Sequence, residues 1–494
     1  MTTTTETFET HSPGDGRVIG TYPLMDAAAV QEVVDRARIA ALWWADLGFD
    51  ERRRRLLRFK GLLARRSREL AELVHAENGK PTDDALLEII LSVEHVNWAA
   101  LNAEKVLRRR RVKPGLLTIN HDARVEYQPL GVVGVIGPWN YPVFTPIGSI
   151  AYALAAGNTV VFKPSEFTPA IGEWLVNAIH EVVPEQPVAQ LVTGKGATGA
   201  ALCESGVDKI SFTGSTPTGK KVMAACALSL TPVLLECGGK DAVLVDKDAD
   251  LDKAADAATF GAFSNAGQTC VGVERVYVHQ EVYDEFLDLV AQKARALTPG
   301  HGPDSSYGPM TMPSQIEVVR EHVRDALERG GRAVVGGPES VGEGVVEPIV
   351  LAQVPEDSLA VMEETFGPTL VVNPVRDMDE AVDRANAADF GLAASVFSSS
   401  RATMERVASR LRVGMVSMNS WVMYAGVSAL PWGGVGQSGF GRIHGPDGLR
   451  EFARSKSTVR ERFGIPLTLT SFARHPNTTE LVRRVTSVMH GHGR

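Results

Sequence analysis

Cysteine is scarce in this chain: four among 494 residues, at Cys203, Cys226, Cys237 and Cys270, with no C-x-x-C pair. That spacing excludes a disulfide framework and suits a reducing compartment. Basic charge is in deficit as well. Lys and Arg total 51 against 59 Asp and Glu, a net charge of −8, which argues against a nucleic-acid polymer as the main partner. The local exceptions, Arg52 to Arg55 and Arg108 to Arg111, adjoin apolar and acidic residues and read as a solvated helix face or strand end. No apolar run approaches the ~18–20 residues of a membrane span. The opening Met1-Thr2-Thr3-Thr4-Thr5-Glu6 has no basic region followed by an apolar one, so a cytoplasmic protein without a secretory signal is expected. Histidines such as His180, His279 and His301 show no H-E-x-x-H or Cys/His spacing. No metal site is expected, and surface positions are their default.

What is present is a globular composition, 44% hydrophobic and 22% charged, in a chain long enough for two or three domains. Ala27 to Ala41 and Glu51 to Glu77 carry apolar residues at helical spacing, the second with Leu56, Leu57, Leu62, Leu63, Leu70 and Leu73, and read as paired surface helices with no visible chemistry. Ala123 to Pro129 alternates like a strand. From Val132 the pattern becomes strand, turn, helix, with buried strands expected at Val132–Ile136, Thr159–Phe162, Gln190–Thr193 and Lys209–Phe212. A helix at Pro169–Val183 lies between them. A second alternating region begins near Val233, with strands at Ala242–Val245, Arg275–Val278, Ala333–Val335 and Leu370–Val375. Strands alternating with helices indicate parallel α/β sheets. A glycine-rich stretch, Trp432 to Gly439, closes this region, and Leu481, Val482, Val485 and Met489 mark a helical tail.

Two segments carry chemistry. Phe263-Ser264-Asn265-Ala266-Gly267-Gln268-Thr269-Cys270 offers a thiol in a Gly-Gln turn. Leu235-Glu236-Cys237-Gly238-Gly239-Lys240 offers a carboxylate beside a Gly-Gly pair. A thiol that attacks a carbonyl needs a second group to activate water afterwards. Phe212 to Gly219 follows a strand and opens a helix, so backbone N–H groups there would face a pyrophosphate. Pro138-Trp139-Asn140-Tyr141-Pro142, Lys163-Pro164-Ser165-Glu166 and Glu364-Thr365-Phe366-Gly367-Pro368 complete the set.

Taken in this order over Val132 to Arg442, these segments resemble the NAD(P)-dependent aldehyde dehydrogenase superfamily. The resemblance implies an α/β fold: a Rossmann-like cofactor domain (1–111 and 130–235), a second α/β catalytic domain (236–444) and a small β oligomerisation segment (112–129 and 445–494, with a C-terminal extension). It implies Cys270 as nucleophile, Glu236 as general base and Asn140 as oxyanion donor. Lys163 and Glu166 would bind the adenosine ribose, Gly214, Ser215 and Gly219 the pyrophosphate, and Glu364 and Phe366 the nicotinamide half, beside Trp139. Glu166 favours NAD, with NADP also admitted because of Lys163. The implied reaction takes an aldehyde, NAD and water to a carboxylic acid, in a homodimer or homotetramer. Glu236 favours hydrolysis, since relatives that acylate coenzyme A usually lack it. A semialdehyde dehydrogenase (including the succinate-semialdehyde type), a coenzyme A-acylating enzyme, a non-catalytic descendant and a cofactor-independent thiol esterase stay open as alternatives. Trp139, Phe144, Thr269, Trp421 and Tyr424 are expected to line an apolar tunnel suited to aliphatic or aromatic aldehydes. Cys203, Cys226 and Cys237 are expected to be structural.

Overall fold

The computed structural model describes residues 6–465 and 469–491; the opening Met1 to Thr5 and parts of the tail lie outside the described residues. The chain divides into two compact units. The larger comprises residues up to Leu107 and Pro129–Arg454, and the smaller Arg108–Gln128 and Ser455 onward.

The larger unit holds two principal sheets. The first has six strands in the order Gly439–Phe440, Val233–Glu236, Lys209–Thr213, Val132–Ile136, Thr159–Lys163, Ala189–Leu191. All pairs are parallel except Gly439–Phe440, which runs antiparallel against Leu235 and Glu236. Val132–Ile136 and Thr159–Lys163 are buried at every position, as strands covered on both faces must be. The second sheet has seven strands in the order Arg332–Val335, Ile349–Ala352, Thr369–Val375, Val273–His279, Asp241–Val245, Ala393–Phe397, Met415–Met418. Only its first pair is antiparallel. Each expected strand is present within a few residues of its expected ends. The Trp432–Gly439 stretch does more than end the second region: its last residue pairs with Glu236 of the first sheet.

The N-terminal helices depart from expectation. Glu51–Glu77 is not one helix but two, Gly48–Arg65 and Ser67–Asn78, and Leu56, Leu62, Leu63 and Leu70 are core residues rather than surface ones. Arg52 is also buried, correcting its reading as a solvated charge. Its guanidinium donates to the carbonyls of Trp44, Ala45 and Ala155. Those carbonyls end two helices, Ala27–Asp46 and Phe144–Ala156, where backbone acceptors are left over and partial negative charge accumulates. Burial lowers its pKa to about 10. Arg55 pairs with Glu185 at 2.7 Å and with Glu51. His279 is buried too, as are His95, His322 and His444, so the surface default fails for histidine here.

The smaller unit contains a three-stranded sheet in the order Ala453–Glu461, His121–Pro129, Arg110–Val112 and the helix Thr478–His490. Val112, Leu116, Leu117, Ile119, Val459, Leu481 and Val488 are exposed in it. No helix among the described residues is long and apolar enough to cross a membrane.

Candidate active site

All the expected site residues except Glu236 and Gly219 line one cleft of about 1240 Å³ in the larger unit. It runs from Lys163 and Glu166, past Gly214 and Ser215, to Trp139, Glu364, Phe366, Asn140 and Cys270. Gly219 lies behind it, with room for a side chain limited by the Cys237 sulfur. Glu236 is 1% exposed and sits at the last residue of its strand.

The nucleophile loop is held in an uncommon backbone. The helix Leu251–Phe263 ends because Asn265, Ala266 and Gly267 all take positive φ, at 53°, 56° and 70°. Each such non-glycine residue costs roughly 1–2 kcal/mol, so neighbours must hold the turn. Asn265 Nδ2 donates to the carbonyls of Asn140 and Gln268, Gln268 Nε2 donates to the Asn265 carbonyl, and Thr311 N–H donates to Gln268 Oε1 at 2.8 Å. Gly267 admits no side chain, since a Cβ would fall 2.1 Å from the Gly367 carbonyl oxygen. The Cys270 loop and the Glu364–Pro368 loop therefore abut.

Asn140 Nδ2 donates to the Gln268 carbonyl at 3.0 Å, tying its amide to the same loop. Tyr141 and Thr269 hydroxyls lie 3.2 Å apart. Glu236 Oε1 accepts from the Trp432 indole N–H at 3.4 Å, while Oε2 has no partner among the described residues. Burial raises the Glu236 pKa to about 7, against smaller opposing contacts with the Cys270 thiol, Trp432 and Thr213. The Cys270 thiol is pushed well up, first by burial and then by the charge of Glu236. At rest it is protonated, and attack requires a proton acceptor.

Glu364 accepts from the Gly239 N–H at 3.0 Å. A Cβ on Gly238 would strike its carboxylate oxygens at 2.1 Å, so the Gly-Gly pair lets that carboxyl pass the strand end. Burial raises the Glu364 pKa to about 8. The Phe366 ring stands edge-on to Trp139 at 5.5 Å. Trp139 thus belongs to the cleft wall and not with Tyr424, whose ring packs 5.7 Å from Trp432. Phe144 packs on Trp432, His95 and His444. Trp421 Nε1 donates to the Val271 carbonyl.

At the far end, Lys163 Nζ lies 4.0 Å from Glu166, and burial lowers its pKa. Ser215 precedes the helix Thr216–Ala227, whose first N–H groups receive no side-chain cap; its hydroxyl bonds Thr218 instead. Cys237 lines the cleft, and burial pushes its thiol up to about 12. All four cysteines are free thiols. Among the described residues no His, Cys, Asp and Glu cluster could hold a metal ion.

Two buried ion pairs escaped the sequence reading. Lys80 Nζ binds Glu88 at 2.7 Å and the Asn140 carbonyl at 2.8 Å, and sits over the Tyr141 ring. Glu88 Oε1 accepts from the N–H groups of Val143 and Phe144. This pair fixes the Asn140 loop. Asn78 adds a bond to the Trp139 carbonyl. Lys240 pairs with Glu274, which accepts from the N–H groups of Thr365 and Phe366. Lys80 and Glu88 stand eight apart and Lys240 and Glu274 thirty-four apart, so no local periodicity advertises either pair.

Two α/β sheets meeting at a half-buried thiol and a buried carboxylate define a class of enzyme, and comparison supplies its family. Residues 1–458 match the aldehyde dehydrogenase family. The 4,4'-diapolycopene aldehyde oxidase of Methylomonas sp is 40% identical over 457 residues, which is 92% of this chain and 86% of the relative. A putative NADP(+) succinate-semialdehyde dehydrogenase 2 of Mycobacterium tuberculosis is 35% identical over 466 residues, 92% of this chain and 90% of the relative. The crystal structure of an NAD-dependent aldehyde dehydrogenase from Sinorhizobium meliloti has a TM-score of 0.90 at 33% identity, covering 94% of this chain and 93% of its own. The chain belongs to the aldehyde dehydrogenase family, and aldehyde dehydrogenation is the class of its activity.

Proposed function

We propose that the protein oxidises an aldehyde, with NAD and water, to a carboxylic acid, NADH and a proton, through Cys270. The observation that carries this reading is the half-buried thiol at the inner end of the cleft, with a buried carboxylate of raised pKa beside it. The Cys270 thiol passes its proton to solvent water, and the sulfur bonds the carbonyl carbon to give a thiohemiacetal. Asn140 keeps one amide N–H on Gln268 and turns the other to the oxyanion, together with the Cys270 backbone N–H. A donor of this kind contributes about 2.7–4 kcal/mol in the transition state. NAD, held at its nicotinamide half by Glu364 and Phe366, would supply the hydride acceptor for that carbon. Glu236 then activates water, the thioester C–S bond breaks, and the acid leaves.

The cleft residues suit a dinucleotide. The uncapped helix end at Ser215 offers N–H groups to a pyrophosphate, and Gly214 and Gly219 serve the close approach. Glu364 and Phe366 take the nicotinamide half. Glu166 accepts from a ribose 2′-hydroxyl but repels a 2′-phosphate, so NAD is preferred, while Lys163 leaves NADP usable. Relatives of both kinds exist. The domain division given by the sequence belongs to the same proposal: the six-stranded sheet serves the cofactor and the seven-stranded sheet presents Cys270. So do a homodimer or homotetramer formed through the exposed apolar face of the smaller unit, and cytoplasmic residence. Initial rates of NADH formation with NAD against NADP over an aldehyde panel test the reading. Acid formation unaffected by omitting nicotinamide cofactor, or a coenzyme A requirement, would refute it.

A further inference from the structure

Three of the segments that meet at Cys270 contain no charged residue: Leu130–Phe162, Ala257–Val273 and Val413–Gly441. The fourth wall is the helix Thr82–Leu107, which has no Lys or Arg before Lys105. These elements join beside the catalytic centre. Tyr424 packs on Trp432, and Trp432 reaches Glu236. The Ala425 carbonyl bonds His95 Nε2 at 2.9 Å, and Leu91 lies beside Gly426. On the helix around Leu91 and on the chain flanking Gly426, Leu87, Ile90, Met423, Val427 and Leu430 are 54%, 54%, 61%, 48% and 46% exposed. Apolar side chains gathered beside a catalytic centre mark a binding surface more than an idle one.

The nearby cations are already engaged. Lys80 is fully buried on Glu88 and the Asn140 carbonyl. Arg442 donates to the carbonyls of Gly434 and Gly441. Apart from Glu88 and from Lys105 at its far end, the charges on the helix are the acids Asp83, Asp84, Glu94 and Glu104. A carboxylate at the far end of the substrate would lose its hydration here without gaining a countercharge.

We infer that the substrate is an aldehyde on a long apolar chain, whose carbonyl sits at Cys270 and whose hydrocarbon runs out along Leu87, Ile90, Leu91, Met423, Val427 and Leu430. The inference rests on the aldehyde-oxidising reading above and names its substrate class. It disfavours semialdehydes that end in a carboxylate.

The test uses the full chain with NAD, a series of saturated aldehydes from propanal to decanal, and succinate semialdehyde against butanal, a comparator with the same four-carbon skeleton. Burial of each methylene predicts that kcat/KM climbs about threefold per added carbon over the series. Succinate semialdehyde falls at least about tenfold below butanal. Ile90→Asp lowers kcat/KM for decanal about tenfold more than for propanal, and Ile90→Leu restores the slope. A flat chain-length profile, or succinate semialdehyde outrunning butanal, overturns the inference while NADH formation leaves the parent reading standing. Absence of NADH from every aldehyde defeats the parent reading and this inference with it.

Discussion

On the cleft side of Cys270 the walls carry Lys163, Glu166, Lys220, Lys221 and Glu364; on the side of Tyr424 and Trp432 they come from long uncharged segments. Yet each side is braced by the same device. Lys80–Glu88 holds the backbone of Asn140, Val143 and Phe144, and Lys240–Glu274 holds that of Thr365 and Phe366. The difference teaches where charge is used. Charge that fixes loops is buried on both sides, whereas the other charges line the cleft, the side on which a dinucleotide is proposed to lie. A buried pair of this sort gives shape more dependably than net stability.

The largest effect is expected at the nucleophile. Cys270→Ala should cut NADH formation by more than about 10⁴-fold while calorimetry finds NAD binding nearly intact, separating the two sides functionally. Lys80→Met comes next. It strands the Glu88 carboxylate in the interior, so thermal or denaturant unfolding should register a loss of about 3–5 kcal/mol, and Lys80→Met with Glu88→Gln, which keeps an uncharged acceptor for the Val143 and Phe144 N–H groups, should regain most of it. Glu166→Gln removes the charge opposed to a 2′-phosphate. The NADP-to-NAD ratio of kcat/KM should rise about tenfold, or ~1.4 kcal/mol; an unchanged ratio would detach Glu166 from cofactor choice.

The smallest effect concerns pH. Burial holds Glu236 near pKa 7, and water activation requires its charged form. Thioester hydrolysis, followed by rapid mixing, should therefore rise with pH through about 7 and level off above it. The Trp432 N–H favours the charged carboxylate, so Trp432→Phe should move the inflection higher. A profile indifferent to that substitution would leave Trp432 as packing only.

Much of this architecture was legible before any coordinates. Val132–Ile136 and Thr159–Lys163 are short β-branched runs closed by Gly-Pro or Lys-Pro, and they form adjacent buried strands. Cys270, Glu236 and Glu364 stand in segments whose glycines the geometry explains: Gly267 against Gly367, Gly238 against the Glu364 carboxyl. What stayed hidden was tertiary. Arg52 looked solvated because its run is basic, and only the meeting of two helix ends supplies the carbonyls that bury it. Nothing in the sequence marks Lys80 and Glu88, because their partners Asn140, Val143 and Phe144 lie more than fifty residues downstream. Trp432 was visible only as the start of a glycine-rich stretch; its hydrogen bond to Glu236 depends on the return of the chain to the first sheet.

Intact-protein mass spectrometry of Glu236→Gln, mixed with NAD and excess aldehyde, bears most directly on the proposed chemistry. One equivalent of NADH per chain should form, with the acyl mass retained on a peptide containing Cys270. Continued turnover, or NADH release with Cys270 unmodified, would contradict the account.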